Sequence, residues 1–384
     1  MTHQDLTHAV FVGLKPFSKL DCPKEVIRQF TPNWFAVTMG TGILAIALAQ
    51  FPIHVVGLRF VAQSLWFLNI GLFSIFICLY VARWIMYFDQ AKRIFGHSVI
   101  SMFFGCIPMG LATIINGLLM FGIPLWGTSV VDIAEGLWWL DAALSVLCGV
   151  TIPFMMFTRQ NHSIEQMTGV WLLPFVAAEV AAVSGGLLVP HLTEAHQQLN
   201  IIIASYALWA FSVPIAMGIL VILLMRMVVH KLPPANMAAT SWLALGPIGT
   251  GSLGLLVLSS VTPEIFSVNG LGIYADAAQG FGLIGGILLW GYGLWWAAIA
   301  CVITLRYLYQ GLPFNLGWWG YIFPIGVFCV TTLRLSTILP MPIFSLFGGV
   351  MVILLTMLWL IVSARTVLGA WRGDLFVSPC LKDL

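Results

Sequence analysis

Charged side chains are scarce in this chain, and their scarcity excludes most soluble folds. They make up 8% of the 384 residues, whereas a typical soluble domain carries about a quarter. Hydrophobic residues reach 60%, and the mean hydropathy is +1.00. We therefore expect a single polytopic membrane unit. Its net charge of +2 and its lack of basic runs give no support for a nucleic-acid partner.

The sequence also lacks the motifs of several catalytic and cofactor-binding classes. It contains no Walker loop, no GxSxG and no zincin motif, which argues against an ATP-driven pump or a membrane hydrolase. Its 8 histidines fall in tails, loops or span edges, and its 7 cysteines form no CxxC pair. Neither set has the spacing of a metal or haem site within a bilayer. We expect a protein that is not an enzyme and holds no metal or other cofactor.

What the sequence does contain is a series of ten apolar stretches. Each is long enough to cross a membrane as a helix, which takes about 20 residues. They define an all-α membrane domain at 31–365, with tails at 1–30 and 366–384. The tail at 1–30 lacks the apolar stretch of a signal peptide, so the first span is expected to be retained. The predicted spans are 34–50, 60–82, 98–121, 136–157, 168–189, 199–227, 241–261, 277–305, 317–338 and 343–364.

The distribution of lysine and arginine predicts the orientation of these spans. Of the 16 basic residues, 14 fall on the N-terminal side and two, Arg59 and Arg334, on the other. Because basic loops stay in the cytoplasm, both termini are predicted to be cytoplasmic. The expected location is the plasma membrane (the inner membrane in a bacterium), with lipids around the spans. Tryptophans near the predicted span ends, Trp138 among them, are expected at the membrane interfaces.

The odd-numbered spans share a pattern that would break a helix. The Pro-x-Gly stretches are Pro108 to Gly110, Pro247 to Gly249 and Pro324 to Gly326. The fifth span keeps Pro174 without the glycine, and the first has Gly40 with Thr38 in the place of the proline. The equivalent positions are residues 40, 110, 176, 249 and 326. They are 70, 66, 73 and 77 residues apart, which indicates a repeated unit. We predict five helical hairpins, each opening with a broken helix, although proline and glycine are also common in membrane helices generally.

A passage for anions is the function class that these features favour. No lysine or arginine lies at mid-span, and the carboxylate ring of a cation channel is missing. Helix N-termini and freed amides at the breaks carry partial positive charge, which attracts anions without holding them tightly. Arg334 would add an entry potential, unless it is a snorkelling interface residue. The predicted pore lining comprises Gly40, Thr41, Pro108, Gly110, Pro174, Pro247, Gly249, Thr250, Pro324 and Gly326.

For three other residues within the spans, the sequence predicts a specific role or location. Phe323 precedes Pro324, and a large ring beside a kink can plug an apolar bore, although such a ring more often packs against neighbours. Glu179 lies at mid-span, which makes it a candidate for proton coupling; its alternative role is a structural acid bonded to a neighbouring helix. Asp141 lies about one turn into the predicted fourth span and is expected at the interface.

Several long motifs resemble those of the tellurite-resistance/dicarboxylate transporter (TDT) family. That family includes the bacterial tellurite-resistance protein, plant slow-type anion channels, fungal malate permeases and sulfite exporters. The similarity covers about residues 30 to 365. The stretches that carry it are Thr31-Pro-Asn-Trp-Phe-Ala-Val-Thr-Met-Gly-Thr-Gly-Ile43, Trp171-Leu-Leu-Pro-Phe-Val176, Leu245-Gly-Pro-Ile-Gly-Thr-Gly251 and Gly317-Trp-Trp-Gly-Tyr-Ile-Phe-Pro-Ile-Gly326.

This resemblance implies a quasi-five-fold ring of hairpins, whose odd helices line a pore in each protomer of a homotrimer. It also implies that Phe323 is the gate. The expected function is a channel or transporter that passes small anions, C4-dicarboxylates such as malate or else sulfite, mainly in export. The alternatives are a proton-coupled dicarboxylate carrier that uses Glu179, a membrane redox or enzymatic subunit, and a tethering protein without transport.

Overall fold

The computed structural model describes residues 16–381, and within this range it contains helices and no strand. Lys15, Lys382, His3 and His8, which entered the predictions above, lie outside it. Ten helices are long and apolar enough to span a membrane, as predicted. We number them α1 to α10: Pro32–Ala49, Leu58–Met86, Ile100–Trp126, Val130–Thr158, Gly169–His191, Ala195–His230, Ala235–Val268, Gly272–Gln310, Leu316–Ile338 and Pro342–Arg372.

Several helices are longer than the predicted spans. For example, α6 was predicted at 199–227 and extends over Ala195–His230. Hydropathy marks only the apolar centre of a helix, whereas its internal hydrogen bonds can continue into the interface. For the same reason α10 continues to Arg372, so the predicted tail boundary at 366 lies inside a helix.

The helices form an inner and an outer layer. The most apolar windows of α1, α5 and α7 are 89%, 94% and 89% buried, whereas those of α2 and α10 are 22% and 28% buried. The even-numbered helices expose apolar side chains such as Phe60, Met225 and Leu288, as expected for surfaces that face lipid. The odd-numbered helices thus form the inner layer and the even-numbered ones the outer layer, but the layers do not differ consistently in length, since α7 has 34 residues and α2 has 29.

The inner helices contact one another in a closed circuit. In order, α1 packs against α3, α3 against α5, α5 against α7, α7 against α9, and α9 against α1. The 3-10 segments at their N-termini contact one another in the same order, so the five N-termini gather at one end of the molecule. These segments are Pro32–Trp34, Ile100–Gly105, Gly169–Leu172, Ala235–Ser241 and Leu316–Trp318.

One tryptophan on each outer helix ties that helix to the inner helix of the next hairpin. Each indole N–H donates across the gap: Trp66 to Ile114 O (3.2 Å), Trp138 to Ala181 O (2.8 Å), Trp209 to Gly251 O (2.9 Å), Trp290 to Thr332 Oγ1 (2.9 Å) and Trp359 to Thr41 Oγ1 (3.1 Å). The last bond joins the fifth hairpin to the first. The expectation that Trp138 lies at an interface was therefore wrong, since its side chain is fully buried and hydrogen-bonded.

The predicted breaks are changes of helix type rather than unwound segments. Pro108, Pro174 and Pro247 each lie in the first turn of an α-helix that directly follows 3-10 or turn residues. A proline is tolerated there because the amides of the first turn have no intrahelical partner. Pro324 alone among these prolines lies further inside its helix, and the first helix continues through Gly40 without interruption.

The two ends of the described chain meet on one side of the molecule. Phe17 N donates to Trp371 O at 2.7 Å, and Lys19 N donates to Arg372 O at 3.0 Å. Nearby, the buried Arg83 donates to Phe30 O and, at 3.1 Å, to the Ser378 hydroxyl. An even number of spans requires this arrangement.

Candidate anion pathway

Contacts on three sides of α9 define which of its faces points inward. Towards α1, a side chain at Gly326 would collide with Ile43. Towards α7, the Thr331 hydroxyl donates to Gly249 O at 2.9 Å. Towards the outer layer, Thr332 accepts from the α8 indole, and the Cys329 thiol donates to an α10 carbonyl at 3.5 Å.

The remaining face of α9 carries Phe323, Val330 and Arg334. These positions differ by 7 and 4 residues, so they lie on one stripe of a helix. That stripe lies between the sides that contact α1 and α7, and it is therefore directed into the circuit of inner helices. The Phe323 side chain is 3% exposed, so it is packed against its neighbours.

Thr250 lies on α7 between the side that contacts α9 and the side that contacts α6. Its neighbours in sequence point elsewhere: Gly249 abuts the α9 backbone, Gly251 abuts Val213 of α6, and the Ser252 hydroxyl donates to Gly286 O of α8. Thr250 is 2% exposed, and its hydroxyl has no hydrogen-bond partner within residues 16–381.

The glycines of the predicted pore lining lie at helix–helix contacts. A Cβ at Gly40 would lie 2.7 Å from the Trp319 ring of α9, and one at Gly110 would lie 2.5 Å from Thr38 Oγ1 of α1. Gly249 and Gly326 likewise abut α9 and α1. Any contribution of these residues to a pore is therefore limited to their backbone, and their main effect is close approach of the helices.

Thr41 faces the outer layer. Its hydroxyl accepts from the Trp359 indole, and its side chain is fully buried between α1 and α10. The prediction that Thr41 lines a pore is contradicted by this bond. The physical reason is that the Thr41 hydroxyl accepts the indole N–H of Trp359, which directs it towards the outer layer.

Glu179 is buried in α5 without a charged partner. Neither carboxyl oxygen forms a hydrogen bond within the described range, although the Ser212 hydroxyl of α6 lies beside the carboxyl. The alternative of a structural acid bonded to a neighbouring helix thus has no bond of good geometry to support it. A buried carboxylate without compensation is costly, so this group requires a proton, a cation or water.

Thr250 lies at the same depth as Glu179. A Cβ at Gly254 of α7 would contact Val183 of α5, and a Cβ at Gly186 would contact Val257. The two contacts give the same offset between the helices, and that offset pairs residue 250 with residue 179. Two unpartnered polar groups therefore occupy one level of the inner layer.

The predicted location of Asp141 at the membrane interface was wrong. Asp141 is fully buried rather than at an interface, and neither of its carboxyl oxygens has a hydrogen-bond partner in the described chain. The reason is that α4 begins at Val130, not at 136, so Asp141 lies about three turns into the helix. An aspartate inside a mid-span apolar stretch was the signal that could have found it.

Comparison with known proteins identifies the family. The family model for the SLAC1-type voltage-dependent anion channel matches residues 29–367. The chain belongs to this family. The predicted resemblance is confirmed, and the protein is a multi-pass membrane protein of a family of anion channels and transporters.

Relatives within the SLAC1 family carry two substrate names. The chain is 38% identical to the sulfite efflux pump SSU1 of Trichophyton rubrum over 91% of its length and 93% of that protein. It is 31% identical to the uncharacterized transporter MJ0576 of Methanocaldococcus jannaschii, over 94% and 97%. It is 25% identical to the malic acid transport protein of Schizosaccharomyces pombe, over 91% and 80%.

In this SLAC1-family chain, Arg334 lies at the far end of the Phe323 stripe. The 11 residues between them span about 16 Å of helix. Arg334 is partly exposed and donates to the Ser260 hydroxyl of α7 at 2.8 Å. No carboxylate within residues 16–381 pairs with it, so its charge remains uncompensated at this end.

We expect Arg334→Gln to lower anion flux by about two- to ten-fold at low salt, since a cation at a mouth raises the local anion concentration. The loss should shrink as ionic strength rises, because salt screens the charge. Flux of a radiolabelled anion from liposomes would measure it. Arg59→Gln is the matched control, because Arg59 donates to Met120 O and lies over the Phe121 ring, away from α9. Equal losses in both variants would contradict the assignment.

Proposed function

We propose that this protein conducts small anions, sulfite first and C4-dicarboxylates such as malate second, out of the cell between its five inner helices. The observation that carries the proposal is the closed circuit of α1, α3, α5, α7 and α9, with Phe323 on its inward face. The family supports an anion as the solute, and the named relatives support the two substrate classes.

The arrangement of helix ends favours negative solutes. All five inner helices begin at the end where their 3-10 segments meet. Each N-terminus carries about half an elementary positive charge, so five of them make that mouth attractive to anions. No full positive charge is needed inside, and an anion that is weakly held can leave.

Sulfite fits the closed, apolar interior better than malate does. The stripe of α9 is apolar at Phe323 and Val330, and Thr250 of α7 adds a hydroxyl that has no hydrogen-bond partner within residues 16–381. Sulfite has fewer atoms than malate, so it displaces fewer side chains as it passes through such a packed interior. The higher identity to the sulfite pump points in the same direction.

The membrane location, the assembly and the role of the prolines belong to the same proposal. We place the protein in the plasma membrane with both termini in the cytoplasm, which the basic-residue distribution and the meeting of the chain ends support. We place the assembly as a homotrimer with one pathway per protomer, on the family resemblance. Pro108, Pro174, Pro247 and Pro324 would shape the helices around the pathway.

Efflux from liposomes tests this function. Purified protein would be reconstituted, loaded with sulfite, malate or sulfate, and followed for anion loss against empty liposomes. We expect sulfite to leave fastest. Protein that passes none of these anions would favour the tethering alternative, and a bound metal, haem or quinone in the purified protein would favour a redox subunit.

Proton-coupled transport is a second candidate, because Glu179 is fully buried without a charged partner. We expect Glu179→Gln to abolish any anion accumulation driven by a pH gradient, since the amide cannot release a proton. Flux down the anion's own gradient should persist. Ser184→Ala on the same helix is the control, because its buried hydroxyl bonds only within the helix, to Val180 O. If the flux of the wild type does not change with a pH gradient, the protein is not a proton-coupled carrier.

A further inference from the structure

A cavity of about 560 Å³ opens between the ends of α6 and α8, on the side of the molecule where the chain ends meet. The turn that follows α6 forms one wall, and the last turns of α8 form the other. Lys231, Arg306, Tyr307 and Gln310 contribute its polar groups, while Met227 and Pro233 contribute apolar ones. The Tyr307 hydroxyl donates to Pro233 O, which ties the two walls together.

The two cations of this cavity have no acidic partner. Both Lys231 and Arg306 are exposed, and the ion pairs found within residues 16–381 are Arg28–Glu25 and Lys92–Asp89, well away from it. Lys231 Nζ donates to Val228 O at 3.1 Å, which leaves its charge uncompensated. The cavity wall therefore presents two positive charges to whatever enters.

A neighbouring cavity of about 410 Å³ shares the turn Leu232–Pro234 and adds Arg226, His230 and the exposed Glu165. Arg226 is 4% exposed, and it donates to the backbone oxygens of Glu165 and Lys231. This buried guanidinium thus holds the turn in place by backbone contacts. The local balance of charge stays positive.

The backbone of Lys231 is strained. Its φ of 63° and ψ of −167° lie in a region that glycine adopts and other residues avoid. The sequence thus places a lysine where glycine would be more stable, and the strained residue carries one of the two cavity cations.

The surface beside the cavity is apolar. Tyr309 is 93% exposed, and Leu305 and Val228 expose 56% and 65%. Side chains of this kind at the end of a membrane helix face acyl chains and headgroups. A ligand seated here therefore meets cations at one end and hydrocarbon at the other.

We propose that this cavity binds the phosphate headgroup of an anionic phospholipid from the membrane leaflet on the side of the chain termini. Lys231 and Arg306 contact the phosphate, and the acyl chains lie along the exposed faces of α6 and α8. Basic pockets between membrane helices are known to take such headgroups. The site is separate from the anion pathway, which lies inside the circuit of odd-numbered helices.

The test compares lipids on purified full-length protein in detergent. The melting temperature would be measured with added phosphatidylglycerol, phosphatidylcholine or inorganic phosphate, for wild type, Lys231→Gly and Arg306→Gln. We expect phosphatidylglycerol alone to stabilise the wild type. Each variant should bind it about fivefold more weakly, the effect of losing one cation near a headgroup.

Lys231→Gly separates lipid binding from folding. Glycine relieves the strained backbone, so this variant should melt higher than wild type in detergent and yet gain less from phosphatidylglycerol. The matched control is Lys92→Ala with Arg93→Ala, two exposed cations in the short segment after α2 that leave the cavity intact. Its lipid response should equal that of the wild type.

Two results would overturn the proposal. An undiminished response to phosphatidylglycerol in both cavity variants would show that the lipid binds elsewhere. Equal stabilisation by inorganic phosphate would show that a free anion, not a phospholipid, occupies the cavity.

Discussion

Phe323→Ala is expected to raise anion flux by about ten- to a hundred-fold. The ring is 3% exposed on α9. In the proposed function, an anion passes only when this ring leaves its packed position. Removing a buried phenylalanine from its contacts costs about 1.5–3 kcal/mol, which would be the barrier that the ring imposes. Each 1.4 kcal/mol corresponds to about a factor of ten in rate. Anion currents or liposome efflux would measure the change.

Phe328→Ala is the matched control for this experiment. Phe328 lies five positions further along the same helix and is fully buried, but it packs outwards, 6.1 Å from the Trp290 ring of α8. Its truncation should lower the melting temperature, since it leaves a cavity, without opening the pathway. If both truncations raise flux equally, the effect is loosened packing. If Phe323→Ala leaves flux unchanged, Phe323 is not the gate.

The hairpin organisation could be predicted because its signals are local. Apolar runs of membrane length mark the helices, and prolines recur in the odd-numbered ones at intervals of 66, 73 and 77 residues, at Pro108, Pro174, Pro247 and Pro324. The prolines were interpreted as breaks, whereas they occupy first turns in all but α9. The same residue fits both contexts, and the choice depends on where the helix begins, which hydropathy does not locate.

The orientation of individual side chains could not be predicted from the sequence. An inner helix is apolar on all sides, so it has no polar face to distinguish the pathway from the outer layer. Thr41 and Thr250 therefore looked equivalent, although the Thr41 hydroxyl bonds to the Trp359 indole and the Thr250 hydroxyl has no hydrogen-bond partner within the described residues. The distinction depends on a partner more than 300 residues away in the chain.

The indole contacts were missed for a similar reason. A tryptophan in a membrane helix usually marks an interface, and this prior was applied to Trp138. Its bond to Ala181 O crosses from one hairpin to the next, and no sequence pattern names an acceptor that is a backbone carbonyl. Glu179, in contrast, was visible from sequence because a carboxyl at mid-span is rare whatever it contacts.

Gly105→Ala should cause a large loss of stability for the addition of a single methyl group. Gly105 ends the 3-10 segment of α3, and a Cβ there would lie 2.2 Å from the carbonyl oxygen of Leu173 in α5. Because the obstacle is backbone, relief requires the two helices to separate where the five N-termini meet. We expect a destabilisation at the upper end of about 1–3 kcal/mol, measured as a lower melting temperature and a smaller folded yield.

Gly71→Ala is expected to raise the stability of the protein, the opposite of the effect at Gly105. Gly71 lies inside α2, and a Cβ at this position would meet nothing within 4 Å. Alanine there should stabilise the protein by about 0.5–1 kcal/mol, because it restricts the unfolded chain without crowding the folded one. If both substitutions shift stability in the same direction, the close approach of α3 and α5 does not determine the cost. The closed circuit of inner helices would then rest on side-chain packing rather than on backbone contact at this glycine.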